Sequence, residues 1–149
     1  MVYPDQRVQD LLDEETVPLQ FEFSSARELR ERYDVTWTPT LVFTDADGRM
    51  HAKVVPASLP VEEFIPVVLA SVGRANASMR HPDVAIAAFD RVAREYPNSL
   101  AAPESLYWRG VAYYAKSDKD AMKRSWTELG QRHPNSYWAK ATTFFRESM

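Results

Sequence analysis

"AFDRVAREYPNS", Ala88 to Ser99, returns further along the chain as "SWTELGQRHPNS", Ser125 to Ser136. The two align without gaps, Phe89 on Trp126, Val92 on Leu129 and Pro97 on Pro134, a step of 37 residues. Bulky apolar residues at helical spacing, closed each time by a proline that cannot continue a helix, predict stacked helical hairpins. Carried backwards from Pro97, the same register puts Ala85 and Phe89 on the second helix of a first unit and Leu69 and Gly73 on its first helix.

This pattern resembles the tetratricopeptide repeat, whose period is about 34 residues. Leu106, Gly110, Tyr113, Met122, Trp126, Leu129 and Pro134 take that family's large, small, aromatic and terminal-proline positions. Gly110 would let a neighbouring helix approach closely, and the aromatics would fill the space between paired helices. Arg109 stands where the family prefers leucine, so the repeat is degenerate. The resemblance implies that Tyr107, Val111 and Tyr114 face the concave groove in which partner segments lie, where aromatic residues offer large contact area at low entropy cost. The competing expectation is that these tyrosines pack on the adjacent helix. After the last "PNS", "SYWAKATTFFRES" reads as a closing helix with Trp138, Ala139, Thr142 and Phe145 inward and Lys140, Arg146 and Glu147 in solvent.

Upstream of residue 60 the periodicity is different. "QRVQDLLDEE" places Val8, Leu11 and Leu12 on one helical face. "VPLQFEF" alternates, with Val17, Leu19, Phe21 and Phe23 on one side and Gln20 and Glu22 on the other, which predicts a strand. Ser25 and Glu28 have capping-box spacing at the head of "ARELRERYDV", predicting a second helix. "TLVF" and "MHAKVV" read as strands around "TDADG", with Gly48 taking positive φ in the turn. Ser58 and Pro60 open a third helix, with Glu62 and Glu63 in its first turn near the positive end of the dipole.

Helix, strand, helix, strand, hairpin strand, helix resembles the thioredoxin fold with its first strand absent, over roughly residues 3–74. "WTPT", Trp37 to Thr40, and the "DADGR" hairpin carry the likeness. The resemblance implies that the helix beginning near Pro4 corresponds to the one that bears the redox motif. It also implies that Trp37, Thr38 and Pro39 form a cis-proline loop that offers its backbone to an extended peptide, with Trp37 as an apolar wall. The competing expectation has Pro39 merely shaping a strand entry and Trp37 packed in the core. The chain departs from the family in two ways: it contains no cysteine, and it has no residues for the first strand. An internal strand removed from a sheet leaves two rows of backbone groups to be satisfied otherwise. Three arrangements are open: the chain is part of a longer protein, two copies complete each other's sheet, or the remaining strands close the gap.

Composition narrows the function further. The 149 residues are 45% hydrophobic and 26% charged, with net charge -3, which describes a folded protein without a basic field for nucleic acid or an anionic membrane. No secretory signal or membrane span is seen in the sequence, so the location expected is cytoplasmic unless an upstream signal has been removed. Without cysteine there is no thiol nucleophile, disulfide or thiolate metal site within these residues. His51, His81 and His133 lack the i+3 or i+4 partners of a helical metal site, "DADG" lacks the later ligands of a calcium loop, and "DEE" at 13–15 reads as a solvated helix end. No catalytic residues, metal or cofactor are expected.

The expected fold is therefore mixed α+β: an incomplete thioredoxin-like sheet with flanking helices over residues 1–74, then helical hairpins and a capping helix over 66–149, sharing the helix around 60–78. The expected function is a non-catalytic thioredoxin-fold interaction or scaffold module that binds a protein or peptide. The alternative is a fragment of a thioredoxin-family thiol-disulfide oxidoreductase whose cysteine motif lies upstream of Met1. A homodimer by sheet completion is the third reading.

Overall fold

One long helix holds both halves of the chain. In the computed structural model, which describes residues 4–56 and 58–148, α3 (Val61–Ser78) buries Phe64, Ile65, Pro66, Val68, Leu69, Ala70, Ser71, Val72, Gly73 and Ala75. Burial around so much of its circumference means that it is packed on several sides rather than along one stripe. Pro60 stands at its N-cap and Glu62 and Glu63 occupy the first turn, as expected. Pro66 lies inside the helix, where its missing N–H leaves the Glu62 carbonyl without an i+4 donor.

On one side of α3 lie α1 (Gln6–Glu15) and a hairpin of β1 (Leu41–Thr44) and β2 (Met50–Val54), while α2 (Arg27–Arg32) buries no residue and is tied to the hairpin turn by Arg32 and Tyr33, which both donate to the Gly48 carbonyl at 2.9 Å. β1 and β2 are antiparallel, Leu41 opposite Val54 and Phe43 opposite Ala52, with an irregularity after Phe43. Asp45 Oδ1 accepts from the Asp47 and Arg49 amides and Gly48 has φ +72°, so "DADG" is a turn. The first core cluster joins Val8 and Leu11 of α1, the α3 residues Phe64, Val68, Leu69 and Val72, and Val92, Ala101 and Ala102 from beyond α3. Leu12, Leu41 and Phe43 pack against it while only half-buried.

The described residues differ from the sequence expectations here in two places. Residues 17–23 are not a strand: Val17, Leu19 and Phe21 are 88%, 76% and 60% exposed, and the sheet contains only β1 and β2. Alternation makes a segment competent to be a strand, but a strand exists only where a neighbour takes its backbone hydrogen bonds, and none lies beside this one. The capping box is also absent. Ala26 is the N-cap of α2, and the Ser25 hydroxyl donates back to the Glu22 carbonyl, so the helix starts one residue later than the capping box implies and has no side-chain cap.

On the other side of α3 stand α4 (Pro82–Glu95), α5 (Ala102–Ala115) and α6 (Lys119–Arg132), followed by α7 (Tyr137–Ala141) and α8 (Thr143–Ser148). α3 pairs with α4 and α5 with α6, as the 37-residue step requires. The step is visible atom by atom. A Cβ on Gly73 would lie 2.5 Å from the Phe89 ring, and one on Gly110 would collide with the Trp126 ring. Gly110 is 37 residues after Gly73 and Trp126 is 37 after Phe89, so each hairpin closes on the same glycine-aromatic contact. Trp126 Nε1 donates to the Tyr107 carbonyl at 3.0 Å, which fixes the ring over the glycine.

The closing helix is broken into two short ones at Thr142. Its hydroxyl turns inward onto the Ala139 carbonyl at 3.0 Å, competing with the helical ladder. Ala139 and Thr142 are fully buried and Trp138 half-buried, but Phe145 is 46% exposed, with its ring centre 5.2 Å from that of Trp126. Arg146 is not the solvated residue expected: it covers Gly130 and donates to the Ala139 carbonyl at 3.0 Å. The Glu147 side chain lies outside the described residues.

Gly73→Ala and Gly110→Ala should each destabilise the protein by about 1–3 kcal/mol, because the ring they strike is itself packed. Gly130→Ala should cost less, since the flexible Arg146 can withdraw. Urea unfolding of the three variants checks the order, and equal losses at all three positions would contradict it.

Candidate partner-binding surface

Residues 104, 107, 111 and 114 form one stripe along α5, and 67, 70 and 74 form the matching stripe along α3. Between them, and bounded by Val54 at the end of β2, is a cavity of about 180 Å³ lined by Val67, Ala70, Ser71, Arg74, Leu100 and Glu104 among others. Arg74 Nη1 donates to Glu104 Oε1 at 3.3 Å across it, and the Arg74 guanidinium lies 5.6 Å from the Trp108 ring centre. Leu100 is 69% exposed at the rim. The cavity is thus spanned by a charged pair and lined by aliphatic groups together with Ser71.

The expected groove residues are brought to this side of α5 but in unequal roles. Tyr107 is half-buried, its ring centre 4.9 Å from that of Trp138 and 5.4 Å from that of Trp108, and Val111 packs with it on the second core cluster. Those two are largely packing groups. Tyr114 is 61% exposed. Arg74 and Glu104 escaped the sequence reading, although one step back from Tyr107, Val111 and Tyr114 lands on Ala70, Arg74 and Ala77. The signal was the repeat itself, applied to the groove as well as to the core.

At the other end of the chain Trp37 is 68% exposed rather than packed in the core. The Thr38–Pro39 peptide is cis, and the Thr40 hydroxyl donates to the Trp37 carbonyl at 2.6 Å, forming a tight loop at the entrance to β1.

Three polar clusters bear on function. Arg109, at a position where leucine was expected, is mostly buried. Its Nη1 donates to Asp90 on α4 at 2.7 Å, Nη2 to Glu128 on α6 at 2.5 Å, and Nε to the Ser125 hydroxyl at 2.9 Å. Burial opposes the Arg109 charge, but the bonds to Glu128 and Asp90 outweigh it and hold the guanidinium above its ordinary pKa. Glu128 behaves reciprocally: burial pushes it up, and Arg109 and Arg132 together bring it below the usual carboxylate value. The second cluster corrects the reading of 13–15 as a merely solvated end: Arg91 of α4 reaches Glu15 at 3.2 Å and Glu14 at 3.6 Å, tying α1 to the helical array.

The third is Ser78, His51 and Asp45. His51 Nδ1 is 2.9 Å from the Ser78 hydroxyl and Nε2 is 2.9 Å from Asp45 Oδ2. The residue types are those of a hydrolytic triad, but the setting is not. The Met79, Arg80 and His81 amides beside Ser78 are all spent on carbonyls of α3, so no free donor pair awaits an oxyanion. The bridge instead fastens the hairpin turn to the end of α3. Among the described residues no cluster of metal-ligating side chains occurs, and no helix is long and apolar enough to cross a membrane.

Glu128 has a folded pKa below its unfolded one, so its stabilisation is full above about pH 4.3 and is lost as pH falls through the depressed value. The thermal midpoint should therefore drop between about pH 5 and pH 3, and less steeply in Glu128→Gln. Parallel curves for the two proteins would mean that the Arg109 network carries no pH-linked stability.

Comparison with known families agrees with the geometry of the second half. No curated protein matches the chain. Residues 72–99 and 104–136, which hold the end of α3 with α4 and then α5 with α6, match the tetratricopeptide repeat family.

Proposed function

We propose that the protein is a non-catalytic interaction or scaffold module in which a thioredoxin-like half, residues 1–74, and a tetratricopeptide-like half, residues 66–149, share α3. The observation that carries this reading is the surface between the α3 and α5 stripes. It is concave, apolar at the rim and held in shape by the Arg74–Glu104 pair, which suits an extended peptide with apolar side chains. Tetratricopeptide arrays generally use this face for protein partners. Tyr114 and Leu100 are the exposed anchors, whereas Tyr107 and Val111 pack on the second core cluster. Trp37, Thr38 and Pro39 supply a second peptide contact at the cis-proline loop.

Selection from a random peptide display library against the protein tests the groove. Peptides recovered should lose at least tenfold in affinity on Tyr114→Ala with Leu100→Ser, both exposed enough to change without unfolding the array. Peptides that bind the double variant as tightly would overturn the groove reading.

The cis Thr38–Pro39 bond beside an incomplete sheet favours a second reading, an oxidoreductase unit whose first strand and cysteine loop come from outside these residues. Under it Thr38 and Pro39 position substrate and the array selects clients. Intact mass and peptide mapping of the protein from its own source discriminate: a cysteine-bearing segment attached before Val2 supports this reading, and a mass equal to these 149 residues removes it.

A further inference from the structure

The chain holds two halves of an unmade β-interaction. Residues 17–23 have a strand's alternation but no strand beside them; Val17, Leu19 and Phe21 face water, while Phe23 is half-buried in the turn before α2 beneath the Arg30 guanidinium. β1 is paired with β2 on one edge, and its other edge meets no strand. A protein that exposes an unpaired edge and an apolar strand-competent segment together presents both donor and acceptor of a strand exchange.

We propose that a second copy of this chain fills the edge, with Val17–Phe21 of each copy lying along β1 of the other in a two-fold dimer. The side-chain pattern fits. Leu41 and Phe43 face the core cluster and are only half-buried, as is Leu12, so a neighbouring strand with the exposed Val17, Leu19 and Phe21 on that side extends the same apolar layer. Gln20 then falls on the opposite face. Pro18 is tolerated because the incoming strand becomes the new outer edge, where a missing donor faces solvent. Exchange between two copies makes the contact twice and closes, so it ends at a dimer rather than a filament. This interaction does not involve the α3–α5 groove and stands or falls independently of it, whereas it competes with the oxidoreductase reading, in which a strand from outside these residues completes the same sheet.

Sedimentation velocity over roughly 1–200 µM tests the proposal, since association of this kind is concentration-dependent. The wild type should approach twice 17.1 kDa at the upper end. Leu19→Lys with Phe21→Lys should raise the dimer dissociation constant at least tenfold while leaving the far-ultraviolet dichroism intact, because both side chains are exposed in the single copy. Hydrogen exchange of the wild type supplies a second readout that needs no variant: amides within Leu41–Thr44 should gain protection with concentration. A wild type that stays monomeric, a dimer indifferent to the two lysines, or β1 amides whose exchange does not change with concentration would overturn the proposal. A monomer whose β1 amides are protected only by an added apolar strand peptide would assign the edge to another donor and overturn self-exchange equally.

Discussion

The contact on which the rest of the molecule depends is the approach of α4 to α3 over Gly73. Because position 73 has no Cβ, Phe89 can sit directly on the α3 backbone, which leaves the other sides of that helix free to pack against α1, the β-hairpin and the residues around Ala101. A side chain at 73 would push α4 outward and open the cluster that contains both Val8 and Val92. The same arrangement at Gly110 and Trp126 places α6 on α5. Backbone-to-ring contact at two equivalent points sets the spacing of the two helices within each hairpin, and the larger aliphatic residues fill what remains.

Charge then secures what apolar packing has placed. Arg109 is surrounded by acceptors from α4 and α6, so a residue that breaks the expected pattern at its own position becomes the link between consecutive hairpins. Partial burial raises the worth of those bonds above that of a surface pair, and it also makes the site intolerant of losing one partner. Arg91 does the corresponding work between α4 and α1, and His51 between the hairpin turn and the end of α3. Each of these side chains spans elements that are far apart in sequence. They are the reason the two periodic regions form one packed body around α3 rather than two beads on a linker.

The helical array was readable from the sequence because its signals are local and repeated. Phe89 and Trp126, Val92 and Leu129, Gly73 and Gly110 each needed only a fixed offset to be placed, and each lies where that offset puts it. The hairpin was readable from "DADG" for the same reason. Residues 17–23 were not, because alternation reports a capacity to pair and says nothing about whether a partner is present. The break at Thr142 was missed since a buried hydroxyl in a helix pattern looks like any small residue until its acceptor is known. At the candidate surface, Tyr107 and Tyr114 share a stripe and would be equal by sequence, yet Trp138 arrives from α7 to cover the first and leaves the second in water. His51 looked isolated along the chain because its two partners come from six residues before it and from the far end of α3.

The glycine-aromatic contacts also decide where the array could change its curvature. Helices that touch through backbone and ring have no deformable side-chain layer between them, so α3 with α4, and α5 with α6, are each held as one unit. Any change of angle along the array therefore falls between the units, at the contact of α4 with α5, where the Arg109 bond to Asp90 spans the joint.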